Sequence, residues 1–207
     1  MLRFVSLVLA VGLLVSPYMT VAVAAPAGGA VRGDPQVLAE WQAAQQKFNS
    51  ARSWRSKRSI PVSGQTFTQT TEYVAPDRFR IIHGVDAQGR PLSGSVRIGS
   101  DWWNFGGGQC AKIPGRPPQV QRDDREAMQP PEGYTADITK GGVETIDGTV
   151  TQVYTMAFTG GGLQGTQKMY VARDTGYPRR NETTTGQITF IIDYSDYDTA
   201  ITINPPC

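Results

Sequence analysis

The chain has one histidine, His83, and two cysteines, Cys110 and Cys207, among its 207 residues. A single imidazole excludes a His-rich metal site and any nucleophile–histidine pair away from that residue. His83 closes a strand-like run before Gly84 and reads as structural. A second long apolar run is missing as well: beyond residue 24 no stretch is long enough to span a bilayer. Neither sign of charge is in excess, with 20 Lys+Arg against 18 Asp+Glu. That balance points to neither nucleic acid nor an acidic membrane surface. The one basic cluster, RSWRSKR at 52–58, reads as a solvated helix end and first strand.

The one long apolar run is at the start. MLRFVSLVLAVGLLVSPYMTVAVAA places Arg3 before an apolar core that ends in Ala22-Val23-Ala24. This is the pattern of a secretory signal over residues 1–24, cleaved after Ala24. No cysteine stands beside that site to accept a bacterial lipid anchor. The expected location is periplasmic or secreted, with residues 25–207 as a single domain by length. In an oxidising compartment two cysteines default to one disulfide, Cys110 to Cys207. The rival reading, Cys110 as a nucleophile, lacks an activating base nearby.

Residues 25–33 read as a flexible leader. Asp34 then caps a helix with Pro35 in its first position. Val37, Trp41, Ala44 and Phe48 recur at helical spacing, a stripe that runs to about residue 51. The rest alternates polar and apolar residues between turn signals, which predicts antiparallel strands. They fall at roughly 52–60, 64–75 and 78–85, then as a hairpin about Gly99-Ser100 with a short strand in GGGQCAKIP. Further strands are expected at 134–139, 142–147 and 149–159, and the last three at 164–173, 178–185 and 186–203. Pro76-Asp77 and Asp147-Gly148 mark turns. Residues 114–133 are Pro-bracketed and polar, the composition of a helical or loop lid.

Three motifs are literal matches without their context. Gly160 to Gly165 fits a dinucleotide fingerprint, but a strand-like TQKMYVA follows where a helix is needed, so a glycine hairpin is expected. Asp193, Asp196 and Asp198 do not form a calcium loop and read as solvent-facing strand residues. Asn181-Glu182-Thr183 is a glycosylation sequon read as carrying no function.

The order YVAPDRFRI, VRIGSDWWNF, GGVETIDGTVTQVYTMAF, KMYVARDTGYPRRNETTT, YSDYDTAITINPP resembles the LolA-like superfamily over most of residues 34–206. Periplasmic lipoprotein carriers, outer-membrane lipoprotein receptors and mycobacterial lipid-binding lipoproteins belong to it. The resemblance implies a mainly β fold: an incomplete, strongly curved antiparallel barrel, with an N-terminal helix and a lid over its open side. It also implies a concave apolar face that receives acyl chains. No lipid-attachment cysteine is present, and the Cys110–Cys207 pair is an elaboration of that pattern.

Alternation independently groups Tyr154, Met156 and Phe158 on one strand face, Phe190 and Ile192 with Ile188 and Tyr194 on another, and Phe79 with Ile81 on a third. Trp102 and Trp103 point to opposite faces, so one of them faces inward. Such groups fill a closed core in most proteins. Here the sheet is long for the few helices available to cover it. Phe79, Ile81, Trp102, Trp103, Tyr154, Met156, Phe158, Phe190 and Ile192 are the candidate lining of an apolar groove. The expected function is non-enzymatic binding of lipid or lipoprotein acyl chains. No cofactor, metal or nucleic acid is expected. The alternative is a periplasmic sensor or regulatory module that binds a membrane-associated partner protein.

Overall fold

The computed structural model describes residues 30–62, 65–114 and 133–207. The signal read at 1–24, and all but the end residues of the lid read at 114–133, lie outside them. No helix among the described residues is long and apolar enough to cross a membrane.

Helix α1 runs from Pro35 to Ser50. Asp34 accepts hydrogen bonds from the Gln36 and Val37 amides at 2.8 and 3.3 Å, which satisfies donors that a helix start leaves orphaned. The expected stripe buries Trp41, Ala44 and Phe48.

The strands are β1 (Ala30–Gly33), β2 (Ser53–Val62), β3 (Gln65–Val74), β4 (Arg78–Val85), β5 (Pro91–Ile98), β6 (Asp101–Gly106), β7 (Gln109–Ile113), β8 (Thr135–Ile146), β9 (Thr149–Gly160), β10 (Leu163–Ala172), β11 (Pro178–Thr185) and β12 (Ile188–Ser195). They form one 12-stranded sheet in the order β1-β8-β9-β10-β11-β12-β2-β3-β4-β5-β6-β7. Among the described residues the sheet curves and does not close, a half-barrel with one helix. α1 lies on its inner face. There Phe48 meets Trp54 and Tyr194 at ring distances of 5.4 and 5.2 Å, and Trp41 meets Tyr154 edge-on. Burying each such ring stabilises by about 1.5–3 kcal/mol.

Three expectations need correction. Part of the supposed flexible leader is β1, paired parallel to β8. Val31 packs on the core there. A side chain at Gly33 would meet the Ile138 carbonyl at 2.6 Å, so glycine permits the close approach. The two strands expected at 134–147 are one, β8, whose register shifts between Lys140 and Val143. Gly141-Gly142 bulge there, and Gln152 Nε2 donates to both of their carbonyls at 2.7 and 3.0 Å. The last strand stops at Ser195 rather than 203, because Asp196 (φ 55°) and Asp198 (φ 54°) turn left-handed.

Beyond that turn the chain crosses to the outer face. The Asp198 amide donates to the Ser53 carbonyl at 2.9 Å. Ile203 is buried against Val96 and Trp103 in a second core. Arg78 Nη1 donates to the Ile203 carbonyl at 3.0 Å. Cys207 is joined to Cys110 on β7.

The turns the sequence marked do form. Asp147 (φ 46°) and Gly148 (φ 77°) take the left-handed pair that a two-residue hairpin needs. Gly161 and Gly162 do the same between β9 and β10, so the dinucleotide-like run is a glycine hairpin.

Candidate functional site

Residues directly opposite each other on neighbouring strands share a sheet face, so the register assigns every candidate. Trp54 faces α1 and pairs with Tyr73, and Tyr73 pairs with Phe79. Phe79 pairs with Arg97, and Arg97 with Trp102. On the other side of β2, Tyr194 pairs with Ser56, and Ile192 pairs with Asn181. Asn181 pairs with Met169, and Met169 with Tyr154. The inner face therefore carries Phe79, Ile81, Trp102, Tyr154, Met156, Phe158, Phe190 and Ile192. Trp103 does not join them. It pairs with Val96 on the outer face, where Ile203 covers it. Trp102 is the inward tryptophan of the two, with the Arg97 guanidinium 6.0 Å from its ring.

The inner face divides in two. Tyr154, Met156, Phe158 and Ile192 are buried in one cluster with Trp41, Phe48, Trp54, Met169 and Tyr194, beneath and beside α1. Phe79 packs at its margin. The Phe158 ring lies over Gly165, where an added Cβ would come within 2.4 Å of it. Further from the helix the described residues only half cover the face. Ile60, Ile81 and Phe190 are partly buried, and Phe67 and Ile188 are exposed. Polar groups sit among them. Asn181 is buried, with its Oδ1 lacking a partner, so the sequon is withdrawn from the surface. His83 lies over Phe67 at a ring distance of 6.0 Å, and its Nδ1 is buried without a partner. The sequence reading missed Trp54 and Met169, both central to this face. Trp54 is hidden within the basic run 52–58, although alternation with Ser56 and Arg58 places it inward.

A cleft of about 480 Å³ opens between α1 and strands β8–β10, with Glu40, Lys47, Lys140, Tyr154 and Arg173 in its lining. The Tyr154 phenol donates to Glu40 Oε2 at 2.8 Å, and Lys140 Nζ lies 2.7 Å from the same oxygen. Lys140, then Tyr154, hold the Glu40 carboxyl below its usual value of 4.5. Burial, then Glu40, push the Tyr154 phenol up, so it keeps its proton at neutral pH. The trio is a charged clasp between α1 and the sheet. Because the folded Glu40 pKa lies below the unfolded one, its contribution is complete above the unfolded value and fades as pH falls through the folded value. Denaturant titrations should show Glu40→Gln less stable than wild type at neutral pH, with the gap narrowing below about pH 4.5. A gap that is the same at acidic and neutral pH would show that the carboxylate charge contributes nothing.

No family model and no curated protein matches the sequence. Solved structures do. The lipoprotein LppX of Mycobacterium tuberculosis is 13% identical, with 83% of this chain and 100% of that one covered and a TM-score of 0.57. LprF from Mycobacterium bovis is 12% identical, with 84% and 98% covered and a TM-score of 0.60. MucB is 15% identical, with 84% of this chain but 62% of MucB covered and a TM-score of 0.50. The fold is that of LppX and LprF.

In this half-barrel the three C-terminal aspartates stay open to solvent as expected, but Asp196 and Asp198 lie beyond the strand, and all three are bonded. Asp193 accepts from Arg180 Nε at 2.5 Å, and Asp196 is paired with Arg55. Asp198 receives the Arg52 amide at 2.7 Å and the Tyr177 phenol at 2.5 Å. Among the described residues no group of three His, Cys, Asp or Glu side chains is arranged to hold a metal. Arg55 and Arg80 bracket the buried Glu72 on the outer face, which absorbs part of the basic run into an ion-pair network.

Proposed function

We propose that this LolA-like chain is an extracytoplasmic binding protein that takes up the acyl chains of lipids or lipoproteins on its inner face and catalyses no reaction. The observation that carries this reading is the half of that face that the described residues leave uncovered. Ile60, Phe67, Ile81, Phe190 and Ile188 extend the buried cluster beyond the reach of α1. A face filled by its own side chains would leave no such margin. An acyl chain laid along it gains about 0.8 kcal/mol for each methylene removed from water, with no charged or catalytic group required. The test is equilibrium uptake of a fluorescent fatty acid by the folded protein, with displacement by an unlabelled one. Saturable, competed uptake is expected. A well-folded protein that takes up none contradicts the proposal.

A further inference from the structure

The two ends of the sheet differ in how often charged residues stand in the strand links. Strand links alternate between them. At one end every link carries aspartate: Asp77 between β3 and β4, Asp101 after Gly99-Ser100, Asp147 between β8 and β9, Asp174 between β10 and β11, and Asp196 and Asp198 after β12. At the other end the hairpin links among the described residues carry no net charge. Residues 59–71, 102–111, 148–167 and 183–192, which span four of the hairpin tips there, contain no charged residue at all. The fifth link holds Asp86 and Arg90, which neutralise each other at 2.7 Å.

The same uncharged end gathers the exposed apolar side chains. Of seven large hydrophobic residues exposed among those described, Phe67, Val85, Leu92, Leu163 and Ile188 stand at or beside these links, each between 44% and 55% exposed. The other two, Val143 and Val150, flank Asp147-Gly148 at the opposite end. The five sit on four different hairpins, and two strand spacings of about 4.8 Å separate one tip from the next. Gly161, Gly162, Gly186, Thr and Gln residues lie between them.

We propose that this end of the half-barrel docks on a lipid bilayer, with the five side chains entering its apolar layer. Exposed apolar residues gathered at one end mark a contact surface. Prongs spaced about 10 Å apart among polar residues offer no continuous patch to a protein face. A fluid hydrocarbon layer accepts each prong separately. Hairpin tips without net charge lose little hydration on docking and have no attraction for anionic headgroups, so their binding should not depend on salt. Phe67 and Ile188 also belong to the inner face that continues to Ile81 and Phe190. A chain leaving the bilayer would meet them first. The inference extends the acyl-binding reading but is tested separately from it.

The experiment is flotation of the exported protein with vesicles of neutral phosphatidylcholine, at low and high salt. Wild type should float equally in both. A Phe67→Ser/Leu163→Ser/Ile188→Ser variant should bind at least about a hundredfold less, at roughly tenfold per residue. A Val143→Ser/Val150→Ser control should float like wild type. The single Leu163→Ser change, at a hairpin tip, covers the case in which the triple variant does not fold, and should weaken binding about tenfold. The proposal is overturned if wild type does not float, if it floats only with anionic vesicles at low salt, or if the folded triple variant floats unchanged. It is also overturned if the triple change merely converts a self-associated form to a monomer. Fatty-acid uptake in solution without flotation leaves acyl binding standing and removes the docking surface.

Discussion

Replacing Cys110 and Cys207 together with alanine is expected to lower stability by up to about 4–5 kcal/mol, the chain-entropy figure for a loop near a hundred residues. The two cysteines are 97 residues apart in sequence. For a chain of this size that corresponds to a fall in Tm of roughly 10–15 °C. The structure says where the loss is felt. The tail after β12 has no strand pairing, and from Ile201 on it lies on the outer face of the sheet. Besides the disulfide, that outer stretch is held by Ile203 against Val96 and Trp103, and by the hydrogen bond from Arg78. Without the covalent tie the tail can peel away, and Trp103 becomes accessible. The inner core around Trp54 shares none of these residues, so the sheet should still form. Calorimetry and tryptophan quenching of the double variant test both parts. A Tm within about 2 °C of wild type would show that the disulfide constrains little the fold does not already fix.

A negative charge on the inner face should have opposite consequences at two positions that sequence alternation treats alike. Met156 is 2% exposed and lies between Ile138 and Gln167 on the neighbouring strands. Met156→Asp removes a buried side chain, worth about 2–5 kcal/mol, and buries a carboxylate besides. That combination should unfold a domain of ordinary stability. Phe190 is only partly buried and outside the core cluster. Phe190→Asp can keep its carboxylate hydrated, so the protein should fold but lose at least tenfold in fatty-acid uptake. Circular dichroism and probe titration separate the two. If both variants unfold, the inner face is a closed core. If Phe190→Asp binds as well as wild type, the ligand sits elsewhere.

The fold was legible where local chemistry decides it. Asp34-Pro35, the Val37–Phe48 stripe, Asp147-Gly148 and the glycines at 160–162 each announce their own geometry. Reading failed where a distant partner decides. Nothing in Ala30–Gly33 announces a strand, because β1 exists only against β8, more than a hundred residues away. The tail keeps its alternation past Ser195, but two aspartates adopt left-handed conformations that aspartate tolerates and sequence does not signal. Alternation also correctly separated Trp102 from Trp103 without saying which faces α1, since that depends on the register through β2, β3, β4 and β5. The candidate groove shows the same limit. Period-two spacing found residues sharing a face. Which of them α1 covers is a matter of packing: Met156 and Tyr154 lie in the core, and Phe190 and Ile81 lie beyond it.

Lipid extraction of the exported protein, followed by mass spectrometry, tests the central claim most directly. The account predicts acyl lipid recovered in near-stoichiometric amount from wild type and lost from the folded Phe190→Asp variant. Folded wild type that yields no lipid, and binds none when fatty acid is added, would contradict it.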